Sequence, residues 1–178
     1  DHIYAKRLLD AGATTIMFPQ VNNLSDAEYA VRSVKYPPKG IRGIAGATRA
    51  NNFGREIDYV STADKNICVI CQIESVEACK NVKEIASTEG VDLLFIGPGD
   101  LSADMGFIKN RSAAEVKEMA IQVLNETKKL NKPCGIMVSN ITEAKEMLKI
   151  GFSVIAVTTD LVLLRNAVDE IGLLAKNN

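Results

Sequence analysis

The sequence lacks the features that mark a membrane protein or a nucleic-acid-binding protein. Its 178 residues contain no apolar run of about 18 residues, so we expect no membrane span. The formal net charge is -1, which gives neither nucleic acid nor an anionic membrane a reason to bind. Hydrophobic content is 47% and charged content 24%, which is ordinary for a globular protein. We therefore expect residues 1–178 to form one domain.

The four cysteines do not form a zinc or redox motif. Cys68 and Cys71 have C-x-x-C spacing, but both fall on a predicted strand, where a separation of three residues places them on opposite faces. Cys79 falls on a predicted helix and Cys134 on another strand. We interpret all four as buried, reduced thiols of a cytoplasmic protein. A dinucleotide site is not expected either, because no G-x-G-x-x-G follows a strand.

Predicted strands and helices alternate along the chain. The strands are predicted at 14–20, 67–73, 91–97, 133–139 and 152–159, and the helices at 25–36, 55–65, 76–87, 112–131, 141–151 and 161–176. Residues 36–54 and 98–111 are predicted to be loops. The strands are short, apolar and not alternating, as in a parallel sheet buried on both faces. The fold class is therefore α/β, either an open doubly wound sheet or part of an eight-stranded barrel.

Local signals mark where these helices begin and end. A helix-ending glycine or asparagine precedes four of the strands, at Gly12, Gly90, Asn131 and Gly151. Ser25 and Glu28 have the spacing of a capping box, which predicts a helix that begins at Ser25.

Polar side chains stand at the predicted carboxyl ends of the strands. Glu74 follows the strand 67–73, and Gln72 shares its face because side chains alternate along a strand. Asp100 follows the next strand after the tight turn Gly97-Pro98-Gly99, where glycine permits close backbone approach to a ligand. Adjacent parallel strands lie about 4.8 Å apart, so we expect Glu74 and Asp100 to converge.

Two converging carboxylates suit a hard divalent cation such as Mg²⁺ or Mn²⁺, with substrate and water oxygens completing its coordination. Two plainer interpretations stay open on the residues alone. Glu74 could cap the helix that follows it. Asp100 could be the N-cap of a short turn at Leu101 and Ser102.

Three stretches together resemble the HpcH/HpaI family of class II, metal-dependent aldolases of pyruvate and other 2-oxo acids. They are YPPKGIRG (36–43), QIESVEACKNVKEIASTEGVDLLFIGPGDLSADMG (72–106) and GFSVIAVTTDLVLL (151–164). The resemblance covers essentially the whole chain. It implies a (β/α)8 TIM barrel, of which this chain would hold a partial barrel made of the last five strands and their helices. It also implies a homo-oligomer, which is a hexamer in the family.

The resemblance implies a role for each matching residue. Glu74 and Asp100 correspond to the family's metal ligands, for Mg²⁺, Mn²⁺ or Co²⁺, and Gln72 to a side chain that contacts bound pyruvate. The backbone amides of Gly97 and Gly99 would receive the pyruvate carboxylate, as N–H groups of glycine-rich turns do for anions. The implied reaction is aldol cleavage of a 4-hydroxy-2-oxo acid to pyruvate and an aldehyde, or the reverse condensation.

The sequence departs from the family at two catalytic positions. The family uses a histidine at the end of its second strand and an arginine at the end of its third, and neither has a counterpart here. The only histidine, His2, lies outside any motif. The chain starts at Asp1, without Met and inside a predicted helix, so we interpret it as a chain whose beginning is missing. We therefore expect weak divalent-ion binding and no turnover from this chain alone.

Four further residues are weaker candidates. Asp10 matches a family aspartate that supports the catalytic histidine, although a solvated residue in the last turn of a helix is an equally good interpretation. Arg42 and Arg49 lie in the predicted loop and could face the anionic end of the aldehyde or a neighbouring subunit. Of the two, Arg49 is kept as a candidate substrate-binding residue. Asp160 also ends a strand, but the family's turn sequence is replaced here by Thr158-Thr159-Asp160.

Two other functions stay open. One is a carbon–carbon lyase acting on a CoA thioester, like the citrate lyase β chain, although no basic CoA-binding arrangement is visible. The other is a non-catalytic binding or assembly module that keeps the barrel shell. The apolar C-terminal helix is expected to pack at a subunit interface or on the barrel wall.

Overall fold

The computed structural model describes residues 1–108 and 110–176. Five strands form one sheet: β1 (Thr15–Phe18), β2 (Cys68–Ile73), β3 (Leu93–Ile96), β4 (Cys134–Met137) and β5 (Val154–Ala156). The helices are α1 (His2–Asp10), α2 (Leu24–Val34), α3 (Tyr59–Thr62), α4 (Val76–Lys80), α5 (Val82–Ser87), α6 (Pro98–Asp104), α7 (Ala114–Lys129), α8 (Ile141–Ile150) and α9 (Asp160–Lys176). Two 3-10 turns lie at Asn52–Gly54 and Ala63–Asn66.

The strand order decides between the two architectures. The five strands are all parallel and lie side by side in the order β1-β2-β3-β4-β5. A doubly wound sheet reverses direction after its first strand, so its order does not follow the chain. A chain that always adds the next strand on the same side builds the wall of a barrel. The chain is therefore a partial (β/α) barrel of five strands, as the sequence predicted.

The two faces of the sheet are packed differently. The larger core lies on the helix side, where Val69, Cys71 and Ile73 of β2 contact the buried faces of the helices. A smaller cluster on the other face contains Ile70, Leu93 and Phe95, with Cys68 and Met137 packed against it. This alternation confirms that Cys68 and Cys71 point to opposite faces. All four cysteines are free thiols, but only Cys71, Cys79 and Cys134 are buried, whereas Cys68 is partly exposed on the inner face.

Gly135 shows how tightly the inner face is packed. It pairs with Phe95 across β3 and β4. A Cβ atom at Gly135 would lie 2.6 Å from Phe95 Cδ2 and 3.0 Å from the Val154 carbonyl oxygen. The aromatic ring therefore occupies the space that a side chain would need.

The predicted helix ends are confirmed, because Gly12, Gly90, Asn131 and Gly151 all have positive φ. At Gly151, with φ 112°, the backbone N–H donates to the carbonyls of Leu148 and Met147 and closes α8 in a left-handed cap.

Other sequence-based boundaries were wrong. Residues 98–104 form helix α6 and not a loop, because Pro98 stands at the first helical position, where its fixed φ favours a helix. The N-cap of α2 is Asn23 and not Ser25, since the Asn23 side chain accepts the Asp26 N–H. The helix expected at 76–87 is split into α4 and α5 at Asn81.

Helix α9 is exposed along its described side chains. Its apolar residues Leu161, Leu164 and Ile171 are 72%, 64% and 67% exposed, so the helix does not pack on the barrel wall of its own chain. No described helix combines the length and apolarity that crossing a membrane requires.

We predict that Gly135→Ala destabilises the protein by about 1–3 kcal/mol, because the added methyl overpacks Phe95. A protein of this size should then melt roughly 2–4 °C lower per kcal/mol. Gly172→Ala is the matched control, since a Cβ atom there would meet nothing and alanine favours the helix by about 0.5–1 kcal/mol. Thermal unfolding followed by circular dichroism measures both. Equal melting temperatures for the two variants would contradict this packing.

Candidate active site

Three strands bring polar side chains to one edge of the sheet. β1, β2 and β3 are adjacent and parallel, so the segments that follow them meet at their common carboxyl edge. There they form a cleft of about 270 Å³, whose lining residues are Gln20, Asn22, Glu74, Ser75, Asp100 and Asp104. The structure thus brings Glu74 and Asp100 into one cleft.

Glu74 is a buried carboxylate with one free oxygen. It directly follows β2 and is only 6% exposed. Its Oε1 accepts the backbone N–H of Gln20 at 2.7 Å. Its Oε2 is buried and has no hydrogen-bond partner among the described residues. Glu74 does not cap α4, because Ser75 does so by accepting the Ala78 N–H at 3.0 Å.

Asp100 faces the same cleft from the first turn of α6. It is not a helix cap, since the N-cap of α6 is Gly97. Burial raises the pKa of Glu74 above its ordinary value, and the Gln20 N–H opposes the rise. The charge of Asp100 and the approach of its carboxyl group to that of Glu74 add to the rise, although the two groups do not meet the geometry of a hydrogen bond. The two carboxyl groups are therefore close enough to interact.

Gly97 allows this cleft to form. A Cβ atom there would lie 2.7 Å from Gln72 Nε2 and 2.8 Å from Glu74 Oε2. The side chains of Gln72 and Glu74 therefore both reach the Gly97 backbone. This confirms that they lie on the same face of the strand, as the alternation of side chains predicts. The Gly97 N–H is already used, because it donates to the Ile73 carbonyl at 3.1 Å. For the Gly99 N–H, no acceptor is found within the described part of the chain.

This donor set fits a divalent metal ion that takes two protein ligands. An unpartnered carboxylate oxygen in a buried position has a desolvation cost that a cation offsets. In the described ranges, no three His, Cys, Asp or Glu side chains gather as a complete metal cage. Glu74 and Asp100 would therefore hold such an ion together with oxygens from substrate and water, which is the usual arrangement for Mg²⁺.

Comparison with known proteins decides the family. A model of the HpcH/HpaI aldolase/citrate lyase family matches residues 1–167. The chain belongs to the HpcH/HpaI family. It is 41% identical over 173 residues to a 4-hydroxy-2-oxo-heptane-1,7-dioate aldolase of Shigella sonnei (strain Ss046), covering 97% of this chain and 66% of that protein.

Two other members of the family are similarly close. A 5-keto-4-deoxy-D-glucarate aldolase of Shigella boydii serotype 18 (strain CDC 3083-94 / BS512) is 40% identical over 170 residues, which are 96% of this chain and 66% of that protein. The crystal structure of a family protein from Burkholderia cenocepacia J2315 superposes with a TM-score of 0.93 at 36% identity. That match covers 99% of this chain and 70% of the other. The chain thus spans about two thirds of the length of its relatives.

Asp10 lies away from Glu74 and Asp100. It ends α1, just before β1 begins, and so stands at the amino edge of the sheet. Its Oδ1 accepts a hydrogen bond from Arg42 Nη2 at 2.9 Å, and its Oδ2 binds Lys6 Nζ. Asp10 is thus not a freely solvated residue, and it cannot reach the cleft that Glu74 lines in the same chain.

Arg42 is the residue that the sequence described least well. The sequence predicts a loop arginine that could face the aldehyde or a neighbouring subunit, but the Arg42 side chain is fully buried, at 0% exposure. Its guanidinium carbon lies 4.5 Å from the ring centroid of Tyr36 and 5.7 Å from that of Tyr59. The signal in the sequence is the tyrosine of YPPKGIRG, because an arginine near tyrosines can be buried between their rings.

The remaining candidates also lie outside the cleft. Arg49 is exposed in the loop beside Gly12 at the amino edge of the sheet. His2 Nδ1 lies 3.0 Å from the Tyr29 hydroxyl, on the helix side. Asp160 is exposed at the start of α9, where its Oδ1 accepts the Leu161 N–H at 2.8 Å.

We predict that Glu74→Gln stabilises the protein when divalent ions are removed. Since burial raises the pKa of Glu74, the folded state keeps this proton at a pH where the unfolded state has lost it. The free energy of unfolding therefore falls as the pH rises above about 4.5. Glutamine carries no charge to desolvate, so the melting temperature of the variant at about pH 7 should be higher, by roughly 2–4 °C for each kcal/mol of stability gained.

Thermal unfolding in EDTA between about pH 3 and pH 8 measures this difference, because these limits lie on both sides of the ordinary carboxyl pKa and reach above it. Asp104→Asn is the control, because Asp104 lines the same cleft but is exposed. The control should keep the pH slope of the wild-type protein. A slope in Glu74→Gln as steep as in wild type would show that Glu74 is not the group responsible.

Proposed function

We propose that this chain supplies the metal-binding half of an aldolase active site for 4-hydroxy-2-oxo acids. The observation that carries the proposal is the buried, unpartnered Glu74 Oε2 in one cleft with Asp100. Relatives at 41% and 40% identity are named as aldolases of such acids, which supports the substrate class. The products would be pyruvate and an aldehyde, and the reverse reaction is their condensation.

Different residues of the cleft would hold the metal ion and the oxo acid. Glu74 and Asp100 would hold Mg²⁺, Mn²⁺ or Co²⁺, which when bound supplies Lewis-acid polarisation of the keto oxygen. Gln72 lies beside Glu74 at Gly97 and would donate its amide to pyruvate. The Gly99 N–H, at the start of α6, has no acceptor among the described residues and would donate to the carboxylate, whereas the N–H of Gly97 is engaged. No lysine lines the cleft within the described residues, which favours this chemistry over a Schiff base.

The acid–base half of the reaction is not supplied by this chain. The only histidine pairs with Tyr29 on the helix side, and Arg42 is enclosed at the other edge of the sheet. The isolated 178-residue chain would therefore bind an ion without turning over substrate. Helix α9, exposed and apolar, supports assembly into a homo-oligomer, since an exposed apolar surface of this kind marks an interface.

We predict that Mn²⁺ binding depends on both carboxylates. Asp100→Asn should weaken Mn²⁺ binding at least about tenfold, because it removes one of the two carboxylates that we assign to the ion and leaves Glu74 without the other. Asp104→Asn is the matched control. Asp104 Oδ2 accepts the Val76 N–H at 2.7 Å, and an asparagine oxygen can accept it as well. Isothermal titration of the full-length protein measures the affinities. Equal loss in the two variants would contradict the assignment of Asp100.

We also predict that the isolated chain does not cleave 4-hydroxy-2-oxo-heptane-1,7-dioate in the presence of Mg²⁺, Mn²⁺ or Co²⁺. Pyruvate release, coupled to NADH oxidation by lactate dehydrogenase, measures the reaction, and the related aldolase of Shigella sonnei serves as the positive control. Turnover by this chain would show that the histidine and arginine are dispensable.

A further inference from the structure

The turn between β1 and α2 controls one oxygen of Glu74. We propose that Asn22 is a positioning residue for this carboxylate, because its side chain holds the turn so that the Gln20 N–H stays on Glu74 Oε1. The inference rests on the proposed role of Glu74 as a metal ligand. Neither Asn22 nor Gln20 contributes a carboxylate, so neither is assigned as a metal ligand.

Gln20 has an unusual backbone conformation. Its φ is 55°, in the left-handed region that non-glycine residues seldom occupy. β1 and β2 pair with Phe18 opposite Cys71, which carries Gln20 alongside the end of β2. The left-handed turn directs the Gln20 N–H at Glu74 Oε1, at 2.7 Å. Strain of this kind persists where surrounding contacts hold it in place, and it gathers at functional sites.

Asn22 provides those contacts. Its Nδ2 donates to the Gln20 carbonyl at 3.3 Å, and its Oδ1 accepts from Ser75 Oγ at 2.5 Å. Ser75 is the residue directly after Glu74 and the N-cap of α4. One amide side chain therefore ties the strained turn after β1 to the backbone that carries Glu74.

Backbone contacts fix Asn22 in this place. Its N–H donates to Asp26 Oδ2 at 2.9 Å, and its carbonyl accepts from Asn81 Nδ2 at 2.9 Å. These two bonds belong to the main chain of residue 22, so they survive removal of the side chain. A change at Asn22 can therefore test the side-chain contacts alone.

The arrangement sets which oxygen of Glu74 is available. With Oε1 held by an N–H, the carboxylate presents Oε2, which lies next to Gly97 and has no partner among the residues described. Losing the Asn22 contacts frees the turn, and Glu74 loses its fixed orientation. Mutation of a residue that orients a metal ligand in this way typically lowers the metal affinity by about 10–100-fold.

The experiment is Mn²⁺ titration of the full-length protein, with Asn22→Ala as the test variant. We expect the dissociation constant to rise about 10-fold or more. Asn23→Ala is the matched control, because the neighbouring asparagine caps α2 through the Asp26 N–H at 3.0 Å and makes no side-chain hydrogen bond to Gln20, Glu74 or Ser75 in the described part of the chain. It should lower the melting temperature and leave the dissociation constant within about twofold of wild type.

A second variant keeps the test decisive if Asn22→Ala does not fold. Ser75→Ala removes the other end of the same contact and should also weaken Mn²⁺ binding. In a folded double variant the two losses should not add, because they break one shared network.

The outcomes separate the two proposals. A wild-type protein that does not bind Mn²⁺ overturns the proposed metal site. A wild-type protein that binds, with Asn22→Ala or Ser75→Ala of unchanged affinity, overturns the positioning role alone. Equal weakening by Asn23→Ala also overturns it, since the effect would then follow general stability.

Discussion

The hydrogen bond between the Gln20 N–H and Glu74 Oε1 is the contact around which the carboxyl edge of the sheet is arranged. It joins the segments that follow two paired strands, so it depends on the sequential parallel order of the sheet. It also leaves Oε2 buried without a partner in the described ranges. A stable carboxylate would satisfy both oxygens, so this half-satisfied state indicates a site built for a ligand.

Three features at the carboxyl edge of the sheet are unfavourable for stability. Gln20 is in a left-handed conformation, Glu74 is desolvated beside another carboxylate, and Gly97 can carry no side chain. Each of these lowers the stability of the fold without a ligand, and all three converge on Glu74. Buried apolar residues on both faces of the sheet stabilise the fold and offset the cost of these three features. Function and stability therefore occupy separate parts of the same sheet.

The sequence was sufficient for the strands and for the carboxylate pair, because both depend on local periodicity. Apolar strands mark the sheet, and alternation placed Gln72 beside Glu74. Asn22 and Arg42 could not be recognised in this way. The role of Asn22 depends on Ser75, which is 53 residues away in the chain. The burial of Arg42 depends on Asp10 and two tyrosines that only the fold brings together. The sequence does not reveal the helix at Pro98, because Gly97-Pro98-Gly99 is also typical of a tight turn in a loop, whereas Pro98 is in fact the first helical residue.

Carboxylates at the two edges of the sheet have opposite electrostatic surroundings. At the amino edge, each oxygen of Asp10 has a basic partner, from Lys6 and Arg42. Arg42 is in turn enclosed by two tyrosine rings, which favour a cation over their faces. At the carboxyl edge, no basic side chain lines the cleft among the described residues, and Glu74 faces a second carboxylate instead. Charge that is neutralised within the chain stabilises the fold, as is usual for this end of a barrel. Charge that is left without a partner requires a cation from outside, which is why the carboxyl edge and not the amino edge binds metal and substrate in our proposal.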